Sequence, residues 1–204
     1  MDVELVSLTS HIAIGVSAVV VAVIAFFGLR TWRKELTGKA KFEVARNVML
    51  LGFKLRADFE WARNPFTRSW ESADRPRQEN EPERESSVLN EWYARNHRLQ
   101  PLVENLQKLQ EVHWEAEILL SEDSSKSVSE GLIIYRSSYG DLSSAIHSFF
   151  DARRQEATTG MPFGDQNWLR ELERKVYSRP DDDFSKRIEE ATKQLAPALK
   201  AYVK

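Results

Sequence analysis

The chain contains no cysteine. That excludes disulfides, a thiolate nucleophile and Cys-based metal sites, and it suits a domain on the reducing, cytoplasmic side of a membrane. No Lys or Arg precedes Arg30. A cleaved signal peptide opens on a basic segment, and this N-terminus instead carries Asp2 and Glu4. Phe26, Phe27, Leu29, Arg30 and Trp32 also make a poor cleavage site, so the segment is expected to stay. Strand-like alternation of useful length is missing, which leaves an all-α reading. Charge of one sign is missing too: the formal net charge is −2, with acids and bases interspersed. A nucleic-acid platform would need a concentrated basic face, so no nucleic-acid partner is expected.

Against these absences stands one long apolar run, IAIGVSAVVVAVIAFFGL, residues 12–29. Eighteen residues rise roughly 27 Å, close to a hydrocarbon core of about 30 Å. Eleven of them are Ile, Val, Phe or Leu, each favouring insertion by roughly 0.3–0.6 kcal/mol near the bilayer centre. The run predicts a transmembrane helix, with residues 1–11 as a short extracytoplasmic N-terminus and residues 30–204 as a cytoplasmic domain. Arg30, Arg33, Lys34, Lys39 and Lys41 outweigh Glu35 after the run. The positive-inside rule then places the N-terminus outside and the remainder in the cytoplasm. Arg30, Trp32, Arg33 and Lys34 are the expected interface anchors, with anionic headgroups as partners of the basic cluster. Gly15, Ala18, Ala22 and Ala25 recur at helical spacing and offer a face on which two copies could pack closely.

About 175 residues remain, enough for one domain with a core. Mean hydropathy is −0.49 despite the apolar run, which fits amphipathic helices with solvated outer faces. Val44, Val48, Leu51, Leu55 and Phe59 mark a first helix from Lys39 to about Arg63, flanked by Phe42, Met49 and Phe53. Gly38 is either a hinge to the anchor or part of one continuous helix. Residues 66–86 read as a mobile polar loop. A second helix opens at Ser86 or Ser87, with Pro101 as a kink or a new start, and runs through Leu102, Leu106, Leu109, His113, Ala116 and Leu120. A third opens on the capping pattern Ser127 and Glu130. Its stripe, Val128, Leu132, Tyr135, Tyr139, Leu142, Ile146 and Phe149, alternates three and four as a bundle seam does. After a turn-rich connector come a short helix through Trp168, Leu169, Leu172 and Val176, and a last helix from about Asp183, with Pro197 as a bend. The fold expected is an all-α cytoplasmic helical bundle behind a single N-terminal transmembrane helix.

Catalytic signatures are absent: there is no G-x-S-x-G elbow and no H-E-x-x-H pair. His113 with Glu117, and His147 with Asp151, are one-turn pairs whose imidazole and carboxylate groups suit a transition metal if two helices bring them together. The simpler reading is a partly buried His113 bonded to Glu117, so no metal and no cofactor are expected. Arg95-Asn96-His97 lacks the one-turn spacing of the Arg and His in helical ribonucleases of the HEPN type, and reads as surface charge. Asp181, Asp182 and Asp183 read as a helix start more readily than as a cation site. Trp61, Trp92, Trp114 and Trp168 fall near helix ends or stripe edges, mostly as core.

Residues 28–47, GLRTWRKELTGKAKFEVARN, and 54–66, KLRADFEWARNPF, resemble a pattern in uncharacterised bacterial proteins with one N-terminal span and a helical cytoplasmic part. The resemblance implies topology and carries no activity. In architecture alone the chain also resembles small membrane-anchored helical effectors of bacterial antiviral systems. The sequence thus predicts a non-enzymatic single-pass protein of the bacterial inner membrane. It is expected to form homo-oligomers and to engage the lipid bilayer and a cytoplasmic protein. A membrane-perturbing or pore-forming effector and a metal-dependent helical enzyme are the alternatives.

Overall fold

A computed structural model describes residues 2–179, 182–200 and 202, with the side chains of residues 2–15, 198 and 199 left aside. Every regular element among them is helical. α1 spans Asp2–Ala62, a 3-10 turn Ser69–Ser72, α2 Glu83–Leu119, α3 Glu122–Thr159, α4 Gln166–Val176 and α5 Asp183–Lys200. Gly38 introduces no break, so the two helices considered on either side of it are one. Two compact units divide this chain, residues 1–43 and 44–204.

In the second unit the apolar stripes read from the sequence form the core. Val44, Val48, Leu51, Leu55 and Phe59 of α1 are buried, as are Leu102, Leu106 and Leu109 of α2 and Val128, Leu132, Leu142 and Ile146 of α3. Phe42 and Phe53, placed beside the α1 stripe, are exposed. α3 is the central element and packs against α2, α4 and α5. Its Tyr135 is fully buried, stacked on Phe59 at 6.2 Å between centroids, and its hydroxyl bridges the Gly52 carbonyl (3.1 Å) and Thr192 Oγ1 (2.7 Å). Burial pushes that phenol up to about 12.

Helix starts lie earlier than the capping patterns suggest. α2 begins at Glu83 behind Pro82, with Glu83 and Glu85 in its first turn, where the helix dipole favours acids. Ser86 is no cap: its hydroxyl accepts from Arg75 Nη2 at 3.1 Å. α3 is capped by Ser121, whose side chain accepts from the Ser124 N–H, while Ser127 turns back to the Asp123 carbonyl. Pro101 neither ends nor restarts α2. His97, whose carbonyl loses its partner there, and Pro101 both face solvent, so water can satisfy the freed group. α3 ends on Gly160, in the left-handed region at φ 69°, and Asp165 caps α4 by accepting from the Asn167 N–H. Asp182 caps α5: it accepts from the Ser185 N–H at 2.6 Å and the Arg179 N–H at 2.9 Å. Asp181 of the same acidic run lies outside the described residues.

Candidate functional site: an apolar helix with a basic flank, and a hub of buried arginines

The first unit is the N-terminal two-thirds of α1. It is long and apolar enough to cross a membrane, and none of its apolar window is buried. Val16, Val19, Val20, Val21, Val23, Ile24, Phe26, Phe27 and Leu29 are each between 48% and 66% exposed. A contiguous apolar surface of this kind marks a partner or a lipid phase in a native protein. Ala18, Ala22 and Ala25 are exposed as well. Gly15, the fourth member of the small-residue face, lies outside the side chains described. Beyond the run, Arg30, Trp32, Arg33 and Lys34 are exposed. A groove of about 540 Å³ follows the helix surface there, lined by Phe26, Leu29, Arg30, Arg33, Lys34, Thr37, Gly38 and Lys41. Among the described residues none of its four cations has an ion-pair partner. Trp32 does not line this groove, although the sequence groups it with the same anchors.

A feature the sequence reading misses is a set of arginines inside the second unit. Arg95, read as surface charge, is 0% exposed, and Arg63 and Arg98 are 2% and 3% exposed. All three work at helix ends, where the last carbonyls lack intrahelical partners. Arg95 donates to the Ala62 and Pro65 carbonyls (3.0 and 3.2 Å) and lies over the Tyr177 ring. Burial lowers its pKa, partly offset by Tyr177 and Glu91. Arg98 donates to the Trp61, Asn64 and Phe66 carbonyls (3.3, 2.8 and 2.6 Å) and takes Glu71 through Nε and Nη2. Those bonds from Arg98 hold the Glu71 carboxyl below the usual carboxylate range against the opposing pull of burial. Arg63 closes the end of α4 through the Arg174, Lys175 and Tyr177 carbonyls (2.9, 2.8 and 3.1 Å) and forks onto Asp182 (2.9 and 3.1 Å). Burial raises the Asp182 carboxyl, but bonds from Arg63 and from the Arg179 and Ser185 N–H groups outweigh it and bring it down to about 2.

The same chemistry orders the segment expected to be mobile. Arg75 donates to Glu81 through Nη1 and Nη2, to Ser86 through the same Nη2 and to Asn90 through Nε, which folds residues 75–90 onto the start of α2. The Arg75 bonds hold Glu81 down to about 2. One signal of the buried set was present in the sequence. Arg95 continues the three-four spacing of Leu99, Leu102, Leu106, Leu109 and His113, and Arg63 follows Phe59 by one turn.

The metal candidates do not converge. His147 is exposed beside Trp92, their rings 6.2 Å apart, and His113 lies 21 residues, roughly 30 Å of helix, further along α2. His113 is buried and faces Glu117 at 3.8 Å. Asp151 is exposed, and among the described residues no three His, Asp or Glu side chains are grouped to hold a metal ion. A cleft of about 710 Å³ between α3, α4 and α5 is lined by opposed charges, including Asp141 paired to Arg187 at 2.8 Å. Trp61, Trp114 and Trp168 are all at least one-third exposed, so three of these four tryptophans, expected mostly in the core, lie at the surface.

No family model, curated protein or solved structure matches the chain. Its functional reading therefore rests on the geometry above.

Proposed function

We propose that this is a single-pass membrane-anchored interaction protein. α1 would cross the inner membrane with its N-terminus outside, and the helical bundle would work in the cytoplasm as an assembly module. What carries the reading is the exposed apolar surface of residues 16–29, continuous in one helix with a basic flank. Left in water that surface would aggregate; in a bilayer it is satisfied, because a helix bonds its own backbone. The exposed Ala18, Ala22 and Ala25 support self-association through close helix packing. The arginine hub supports a structural task for the bundle's polar interior, since all of its nitrogens but Arg95 Nε donate to acceptors of the same chain.

The anchor is tested by alkaline carbonate extraction of membranes from expressing cells, with reporter fusions at each end. The protein should stay in the pellet and a C-terminal fusion should be active only on the cytoplasmic side; release into the supernatant refutes the anchor. Self-association is tested by the mass of the full chain in mild detergent. Ala18→Leu with Ala22→Leu should shift oligomer towards monomer, and an unchanged mass excludes this face as the seam.

A further inference from the structure

We infer that the groove along α1 from Phe26 to Lys41 is a seat for an anionic phospholipid, with the acyl chains against Phe26 and Leu29 and the phosphate among Arg30, Arg33, Lys34 and Lys41. The inference rests on the membrane reading above and adds a preferred lipid class to it. At 3.6 residues per turn, the four cations fall within about 100° of the helix circumference. Glu35, Glu43 and Trp32 fall about 130–150° from the centre of that arc, and Lys39 about 170°. The acids are thus kept off the face that carries four of the five cations of residues 30–41. A basic flank that served only to orient insertion would need the number of cations on one side of the span and no such sorting.

The groove supplies both halves of a lipid's chemistry in the right order along the axis. Its apolar lining lies at the end of the membrane run and its cations on the side away from it. Thr37 and Gly38 keep the middle of the groove low: the Thr37 hydroxyl is turned back to the Arg33 carbonyl at 2.9 Å, and a Cβ on Gly38 would meet nothing within 4 Å. Bulky side chains are therefore absent where a headgroup would lie. Arg33 offers planar paired donors to a phosphate and Lys34 a point charge, and with no carboxylate to satisfy them their donors are free to do so. Each basic residue near an anionic surface contributes roughly a fivefold gain in affinity.

The test uses the full chain. Carbonate extraction first establishes integration. Dansyl-labelled phosphatidylglycerol or phosphatidylcholine is then titrated into the protein in dodecyl maltoside, read by energy transfer from tryptophan. Phosphatidylglycerol should bind at least tenfold more tightly. Arg33→Gln with Lys34→Gln should cut that preference by roughly 25-fold or abolish it. Lys39→Gln with Arg46→Gln removes equal charge elsewhere on α1 and should leave it within twofold. Equal losses from the two pairs, or no preference in the parent protein, overturn the lipid seat while leaving the anchor standing. A chain released by carbonate overturns both.

Discussion

Leu195 is held between two glycines, and the sign of a stability change should reverse when it is removed. A Cβ at Gly131 would sit 2.6 Å from Leu195 Cδ2 and 3.2 Å from the Ala191 carbonyl oxygen, and a Cβ at Gly52 would sit 2.6 Å from Leu195 Cδ1. Leu195 is fully buried with one methyl against each glycine, so it cannot turn away from one without pressing on the other. In an open helix, Gly→Ala gains about 1 kcal/mol from backbone entropy. Here overpacking costs about 1–3 kcal/mol, so Gly131→Ala should leave the protein unchanged or destabilised by up to about 2 kcal/mol. Leu195→Ala alone should cost about 2–5 kcal/mol through the cavity it opens. In that background the Leu195 clash is gone and only the 3.2 Å approach to the Ala191 carbonyl remains, so Gly131→Ala should now be neutral or stabilise by up to about 1 kcal/mol. Urea unfolding of the full chain in mild detergent, followed by tryptophan fluorescence, gives the four corners of the cycle. A coupling below about 0.5 kcal/mol would refute the clamp, because independent sites add within that range.

Two further outcomes follow from the charged interior. Arg98→Met should destabilise by about 3–5 kcal/mol, since it leaves the buried Glu71 without its counter-charge and three carbonyls without donors; a denaturation midpoint equal to that of an exposed control such as Arg46→Met would show that the hub contributes nothing. Stability should also fall at both ends of the pH range. Asp182 titrates at about 2 against an ordinary 3.8, so its contribution is present above roughly pH 4 and lost as pH falls towards 2, with Glu71 adding in the same direction. Tyr135 works oppositely: its phenol stays protonated in the fold to about 12 against an ordinary 10.0, so stability should decline above pH 10, and Tyr135→Phe should flatten that limb of a melting-temperature profile.

The helices were legible because their apolar positions recur with the helical period. The stripe from Val128 to Ile146 needs nothing beyond spacing to identify it, and all of its members are buried except Tyr139, which is half-buried. Boundaries were less legible because several residues at each end could serve as caps. Ser86 and Ser127 have the chemistry of an N-cap, yet each spends its hydroxyl elsewhere, on Arg75 and on the Asp123 carbonyl. The order within residues 66–82 was hidden for a related reason. Composition rich in Arg, Glu and Pro reads as solvated chain, and only the tertiary pairing of Arg75 with Glu81 and of Arg98 with Glu71 removes those charges from water.

The buried arginines show most clearly where local reasoning stops. Arg63 meets the Arg174 carbonyl across 111 positions and Asp182 across 119, so nothing near it in the sequence announces either partner. What the sequence does show is a charge occupying a core position of a stripe, as Arg95 does ahead of Leu99 and Leu102. A charge there is tolerable when the fold supplies carbonyls or carboxylates to most of its donors, as it does for Arg95 at all but Nε, because an isolated buried ion costs several kcal/mol. An arginine in the seam of a helix therefore predicts helix ends nearby, since these are the richest source of unpaired carbonyls inside a helical protein. Arg63, Arg95 and Arg98 all meet that expectation: the last two bind carbonyls at the end of α1, and Arg63 binds those at the end of α4. The cations of residues 30–41 do not meet it: they lie in the middle of α1, away from either helix end, with no ion-pair partner among the described residues. The two arginine populations of one chain thus differ in what completes them. Those of the bundle are completed by carbonyls and carboxylates of the same chain, and those of the flank lie at the surface with no ion-pair partner among the described residues.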